Sequence, residues 1–306
     1  AVSQLRLAAV TPASFLERSL WHDERHEVER LVSAMSDWGS AQFVGDIAIA
    51  PVFDGQAFEN PREILLRPTF DGDPWAHHDD LLNANGQLEL MMGAYLVRTG
   101  ERLMLVDAGV GMINNGQYQG GGLLNSLLEL GVEPADITDV ILTHLHFDHV
   151  GWATRKGEIV FPNATYRCHS ADWQHFIESD GADEGAIRKL SPIAPRLELF
   201  DTDHTIATGV DVRHAPGHTP GSVIVIISSG TDRAMLIGDI AHCPAELTEN
   251  DWEAVFDVDR DLARRTREAL AAELEGTTTL VGAAHFPGLQ FGRLLTGEGQ
   301  RSWMLK

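Results

Sequence analysis

The chain has 306 residues, with 23 basic and 45 acidic side chains and a formal net charge of −22. Its 43% hydrophobic content supplies a buried core and excludes disordered and fibrous classes. The longest apolar runs, 88–97 and 223–227, fall far short of the roughly 18 residues of a membrane span. Only three lysines are present, Lys156, Lys189 and Lys306, so neither a membrane nor a nucleic acid is an expected partner.

Two cysteines, Cys168 and Cys243, form no CxxC pair and no disulfide framework, which points to a reducing compartment. Residues 1–10 lack an apolar core behind a basic start and do not read as a signal peptide, so a cytoplasmic location is expected.

In chain order, residues 12–36 set Phe15, Leu16, Leu20, Val28, Leu31, Val32 and Met35 among charges. That spacing predicts one or two amphipathic helices, an N-terminal extension or cap over 1–45. No Pro/Ser/Gly-rich linker divides the rest, so 46–306 is expected to be a single domain. Residues 46–53 read as a strand followed by a turn at Asp54-Gly55. Residues 88–97 and 102–107 read as a hairpin, the glycines of 116–122 as a loop, and 123–130 as a helix stopped by Gly131. A buried strand over 137–143 ends at His144. Further strands are expected over 164–169, 210–213, 222–227, 234–237 and 277–284, with helices over 171–178 and 262–274, the latter closed by Gly276.

The chemistry is concentrated in Thr143-His144-Leu145-His146-Phe147-Asp148-His149, an HxHxDH motif at a strand end. In an extended segment, residues two apart share a side, so His144 and His146 can hold one ion. Asp148 and His149 follow a turn of the chain and address a second. His214-Ala-Pro-Gly-His218 supplies a third imidazole for the first ion. Asp239 follows a short apolar strand as a carboxylate able to bridge two cations, and His285 completes the second set. The first site is therefore His144, His146, His218 and Asp239, and the second Asp148, His149, His285 and Asp239. Imidazole and carboxylate donors suit two divalent ions, zinc first, with manganese, iron or cobalt as alternatives.

These seven residues, in this order, resemble the ligand motifs of the metallo-β-lactamase superfamily over about residues 46–290. The resemblance implies an α/β (α+β) fold, the αββα sandwich, with the metal site at one edge of two facing sheets. The spacings of 69, 21 and 46 between His149, His218, Asp239 and His285 are most similar to those of the quorum-quenching N-acyl homoserine lactonases and the methyl-parathion-hydrolase-like enzymes. The implied activity is hydrolysis of small esters, first of N-acyl homoserine lactones, by a hydroxide shared between the ions. Organophosphate triester or aryl ester hydrolysis and a glyoxalase II-type thioesterase activity are the alternatives. A non-catalytic scaffold is disfavoured by the complete ligand set. Homodimerisation is implied by the resemblance alone.

Asp148 is the expected proton donor to the leaving oxygen. The lactonases usually carry Tyr three residues after the bridging Asp, and His242 stands there. It reads either as a group that orients substrate or as a structural histidine. Asp107 reads as support for the metal loops or as a turn residue, and Thr143 and Thr219 as groups that orient imidazoles. Met91, Met92, Phe147, Trp152, Phe286 and Trp21 are candidate pocket walls or core residues. His22 and His26 stand four apart on a predicted helix, and Cys243 reads as a small buried residue.

Overall fold

The computed structural model describes residues 38, 41–180, 182 and 184–306. Most of the expected N-terminal helical cap, including Trp21, His22 and His26, lies outside the described residues. From residue 41 onward, strands β1 (Gln42–Val44), β2 (Ile47–Glu59), β3 (Leu88–Thr99), β4 (Arg102–Val106), β5 (Tyr118–Gln119), β6 (Asp139–Ile141), β7 (Thr165–His169) and β8 (Leu197–Phe200) form one sheet. Its order is β1-β2-β3-β4-β6-β7-β8, with β5 on β2. Strands β9 (His204–Ala207), β10 (Val210–His214), β11 (Val223–Ser229), β12 (Asp232–Leu236), β13 (Leu280–Gly282), β14 (Gly292–Gly297) and β15 (Gln300–Leu305) form a second sheet in sequential order. The first sheet thus begins at Gln42, ahead of residue 46, where the alternating pattern sets in.

The sheets face each other across a core in which Ile49, Val97 and Met104 of the first pack with Val212, Val225 and Leu236 of the second. Strand β11 is apolar at consecutive positions because both its faces are covered. Val225 and Ile227 enter the inter-sheet core, while Ile224 lies on the opposite side against Leu270, Ala271 and Leu274 of helix α4 (Arg260–Leu274). Asp259 caps that helix, accepting from the backbone N–H of Leu262 at 2.9 Å. On the other outer face, helix α1 (Leu123–Glu129) buries Leu123 and Leu127 beside β2. Helices on both outer faces of two packed sheets make the αββα sandwich. No helix among the described residues is long and apolar enough to cross a membrane.

The pair Asp54-Gly55 makes no hairpin turn. β2 runs on to Glu59, paired to β3 throughout, with a bulge between Phe53 and Gly55. The carboxylate of Asp54 turns inward and accepts from the backbone N–H of Gly111, Gly121 and Leu123 and from Trp152 Nε1, at 2.8–3.1 Å. At Gly55, a Cβ would stand 1.8 Å from the carbonyl oxygen of Gln119. Turn-forming residue types here serve a bulge that carries a strand across the sheet. The expected helix over 171–178 also divides, into α2 (Ser170–Trp173) and a π-helical turn (Gln174–Glu178).

Parallel pairing brings the chemistry to one edge. β4 and β6 are parallel, as are β12 and β13. The segments leaving these four strands, with Asp107, His144, Asp239 and His285, therefore emerge on the same side. His218 follows β10 in a loop that returns to β11.

Candidate metal centre

Five imidazoles and two carboxylates meet at that edge. Ligand-capable atoms of His144, His146, His218 and Asp239 lie within 4.8 Å of one another, and so do those of Asp148, His149 and His285. Asp239 reaches both groups. Its Oδ2 stands 3.7 Å from His144 Nε2, 3.5 Å from His218 Nε2 and 3.0 Å from His285 Nε2, and its Oδ1 stands 3.1 Å from His149 Nε2. Asp148 Oδ2 is 3.5 Å from His285 Nε2 and 3.9 Å from His149 Nε2.

The outward nitrogen of four rings is already engaged, which fixes the tautomers. Nδ1–H of His149 donates to Asp107 at 2.9 Å, that of His218 to Asp257 at 2.9 Å, that of His285 to the carbonyl of Met91 at 2.7 Å, and that of His144 to Thr143 Oγ1 at 3.2 Å. Each leaves an Nε2 lone pair aimed inward. His146 Nδ1 lies 3.1 Å from His144 Nε2 and 2.9 Å from His218 Nε2. One proton cannot satisfy three nitrogens so placed, and buried His149 Nε2 and Asp239 Oδ1 have no hydrogen-bond partner. The donor set fits divalent cations: imidazole lone pairs converge on buried carboxylate oxygens.

The electrostatics agree. Burial and the neighbouring His149 hold His144 well below the ordinary histidine range, and burial with His218 lowers His146 to about 3. Both rings are therefore neutral donors. Burial opposes charge on His149, but Asp239, Asp107 and Asp148 outweigh it and raise its pKa well above the usual value. Three carboxylates around one ring call for positive charge at that point. Burial also opposes charge on Asp239, while His149, His285 and His144 draw its pKa well down.

Asp107 combines a turn and a support. At φ 66° it sits in the left-handed region, and its carboxylate accepts from Thr143 N, Thr143 Oγ1 and His149 Nδ1. A Cβ at Gly238, φ 50°, would stand 2.7 Å from Thr143 Oγ1, so glycine is required beside Asp239. Thr219 does not orient an imidazole. Its hydroxyl donates to Asp172, which also accepts from the backbone N–H of Leu145 and Gly221 and so ties the HxHxDH loop to the His218 loop.

His242 is 1% exposed, and its ring stacks parallel to His285 at 5.8 Å. Its Nε2 is 3.7 Å from Asp239 Oδ2, and its Nδ1 is 3.3 Å from Glu246 Oε2. Burial opposes its charge, but the Glu246 carboxylate raises its pKa to about 9. A cavity of about 190 Å³ opens over the centre, lined by His242, His285, Met92, Phe147, Tyr118 and Phe256 among others. Three proposed wall residues do not line it. Met91 belongs to the inter-sheet core, Trp152 is buried on Asp54, and Phe286 packs edge-on against Trp303 at 5.1 Å. Cys243 is buried with a free thiol whose pKa burial raises. Asp172, Asp257, Glu246 and Arg267 escaped the sequence reading, since no motif marks them, and Asp54 entered it only as a turn residue.

The profile of the Metallo-beta-lactamase superfamily matches residues 94–285, more than half of the chain. The chain belongs to the metallo-beta-lactamase superfamily. It is 28% identical over 208 residues to an N-acyl homoserine lactonase of Bacillus sp, across 61% of this chain and 79% of that protein. It is 27% identical over 208 residues, with the same coverage, to N-acyl homoserine lactonase AiiA of Bacillus thuringiensis subsp. kurstaki. Among solved structures, this metallo-beta-lactamase superfamily hydrolase is similar to AidC, a dizinc quorum-quenching lactonase in complex with a product. There the identity is 26%, the TM-score 0.77, and the match covers 87% of this chain and 96% of that one. The hydrolase AbOPH shares the fold at 22% identity and TM-score 0.75, over 87% of this chain and 95% of that one.

Proposed function

We infer that the protein is a dinuclear metal-dependent lactonase that opens N-acyl homoserine lactones, with zinc at both positions. The observation that carries this reading is the convergence of the lone pairs of His144, His146 and His218 beside Asp239, with His146, His218 and Asp239 lining the small cavity. The names of the N-acyl homoserine lactonases and of the dizinc lactonase it resembles support the substrate and the metal.

His144, His146 and His218 would hold one ion, and Asp148, His149 and His285 the other, with Asp239 reaching both. Such ions supply Lewis acidity towards a carbonyl oxygen and an ionised water near neutral pH. The rest falls to the chain. Asp107, Asp257, Thr143 and the Met91 carbonyl fix the imidazole orientations before substrate arrives. Asp148 is the more exposed of the two site carboxylates, at 12% against 4% for Asp239, and faces the cavity. We assign it the transfer of a proton from the attacking water to the leaving alkoxide as the ring opens. His242 lines the same cavity and its buried Nε2 has no hydrogen-bond partner, so we assign it the donation to the substrate's carbonyl oxygen as charge develops.

The test is hydrolysis by zinc- or cobalt-loaded protein of short- and long-chain N-acyl homoserine lactones, an aryl phosphotriester and S-lactoylglutathione, with a chelated control. Chelator-sensitive turnover highest on the lactones is expected. Turnover highest on either of the other substrates would move the protein to that branch.

A further inference from the structure

A second pocket, of about 900 Å³, adjoins the metal centre and shares His146 and Phe147 with the small cavity. Its walls are apolar: Val110, Leu145, Val150 and Phe176, the last edge-on to His146 at 5.4 Å. Its far side is not. Lys156, Arg188 and Lys189 line it, and no carboxylate does among the described residues. In a chain of net charge −22 with only three lysines, two of the three stand here. The sequence hides this cluster, because Lys156 follows the β-ribbon strand Thr154–Arg155 while Arg188 and Lys189 end helix α3 (Glu184–Leu190). Crossed hydrogen bonds join the two segments, Lys189 Nζ donating to the Thr154 carbonyl at 2.8 Å and Thr154 Oγ1 to the Lys189 carbonyl at 2.7 Å. The cationic side is thereby held against the apolar one.

The small cavity, at about 190 Å³, is below the roughly 300–1,000 Å³ of ordinary ligand sites. It has room for a lactone ring and little more, so the rest of a substrate must enter the larger pocket. We propose that this pocket selects acyl substrates whose far end is anionic, the chain lying along Val110, Leu145, Val150 and Phe176 and the terminal charge meeting Lys156, Arg188 and Lys189. The proposal rests on the hydrolase reading above and deepens it. An apolar chain gains by leaving water, and an anion at its end avoids desolvation without a partner because three cations await it. The overall negative charge of the protein repels such a substrate elsewhere, which makes the local positive patch discriminating.

The experiment compares two lactones on the loaded full-length enzyme, N-decanoyl homoserine lactone and its analogue with a carboxylate at the tenth carbon. Wild type should favour the carboxylate by about twofold to fivefold in kcat/KM at low salt, the range open to partly exposed ion pairs. Added salt should shrink the ratio. The double substitution Lys156→Gln/Arg188→Gln should bring the ratio to about one, and Lys156→Glu/Arg188→Glu should invert it. A ratio indifferent to these substitutions, or a wild-type preference for the methyl end, overturns the proposal. Calorimetric binding of the matching N-butyl amides, which have no ester to open, gives the same comparison without turnover. If neither lactone is hydrolysed the lactonase reading fails, and the amides then decide the pocket: tighter binding of the carboxylate lost in Lys156→Gln/Arg188→Gln supports it, and equal binding overturns it.

Discussion

Asp257 Oδ1 accepts from His218 Nδ1–H at 2.9 Å, while its Oδ2 lies 3.4 Å from Nη2 of Arg267, a buried guanidinium. The same Nη2 lies 3.2 Å from Glu246 Oε1, and Glu246 faces His242. Arg267 also donates to the carbonyls of Ile240 and Trp252. One helix residue thus steadies two carboxylates, one holding His218 of the centre and the other facing His242 beside it. Replacing Asp257 by Ala frees the His218 ring and leaves Arg267 short of an anion. Metal affinity should fall by about 10–100-fold, read by chelator competition, with the sandwich still folded by circular dichroism. Wild-type affinity in this variant would contradict the role given to Asp257.

His242 separates structure from chemistry. Its substitution by Ala should leave the metal content unchanged and lower kcat about 100-fold, the scale of a lost oxyanion donor, with a smaller change in KM. His242→Tyr, which installs the hydroxyl usual in the lactonases, should recover part of kcat. Unchanged kinetics in the Ala variant would make His242 a structural residue.

Asp54 tests the fold. Its carboxylate satisfies three backbone N–H groups and the Trp152 indole, so Asp54→Ala strands several buried donors. A loss of about 3 kcal/mol or more is expected, seen as a lower denaturant midpoint. A loss under about 1 kcal/mol would mean that the bulge holds itself.

Asp139 lends the stability a pH dependence. Burial opposes its charge, but hydrogen bonds from Arg102 and Thr138 and the charge of Arg167 prevail and lower its pKa. A carboxyl whose pKa is lower folded than unfolded contributes stability that is fully present above its unfolded value, about 3.9, and is lost as the pH falls through its folded value. Asp139→Asn should therefore lower the stability at pH 7, and the gap from wild type should narrow below about pH 4. A gap independent of pH would contradict the linkage.

The ligands and the fold share a reason for being legible in the sequence. HxHxDH is dense, and His218, Asp239 and His285 each follow an apolar strand, so strand ends and donors can be read together. The supporting shell is different. Asp54, Asp172 and Asp257 act on segments 27–98 residues away, and such contacts exist only once the two sheets have closed. The basic side of the larger pocket was hidden for the same reason, since Lys156 and Lys189 meet through tertiary contact alone. Strands β8, β14 and β15 carry too little alternation to announce themselves: β8 and β15, each at the edge of its sheet, keep mixed, largely exposed positions.

The most direct measurement is metal content against lactone turnover in the full-length protein, for wild type, His146→Ala and Asp239→Ala. Wild type should bind about two ions per chain, lose N-hexanoyl homoserine lactone hydrolysis on chelation and regain it on reconstitution, while both variants lose metal and activity together. Full turnover in chelated wild type, or in His146→Ala, would contradict the account.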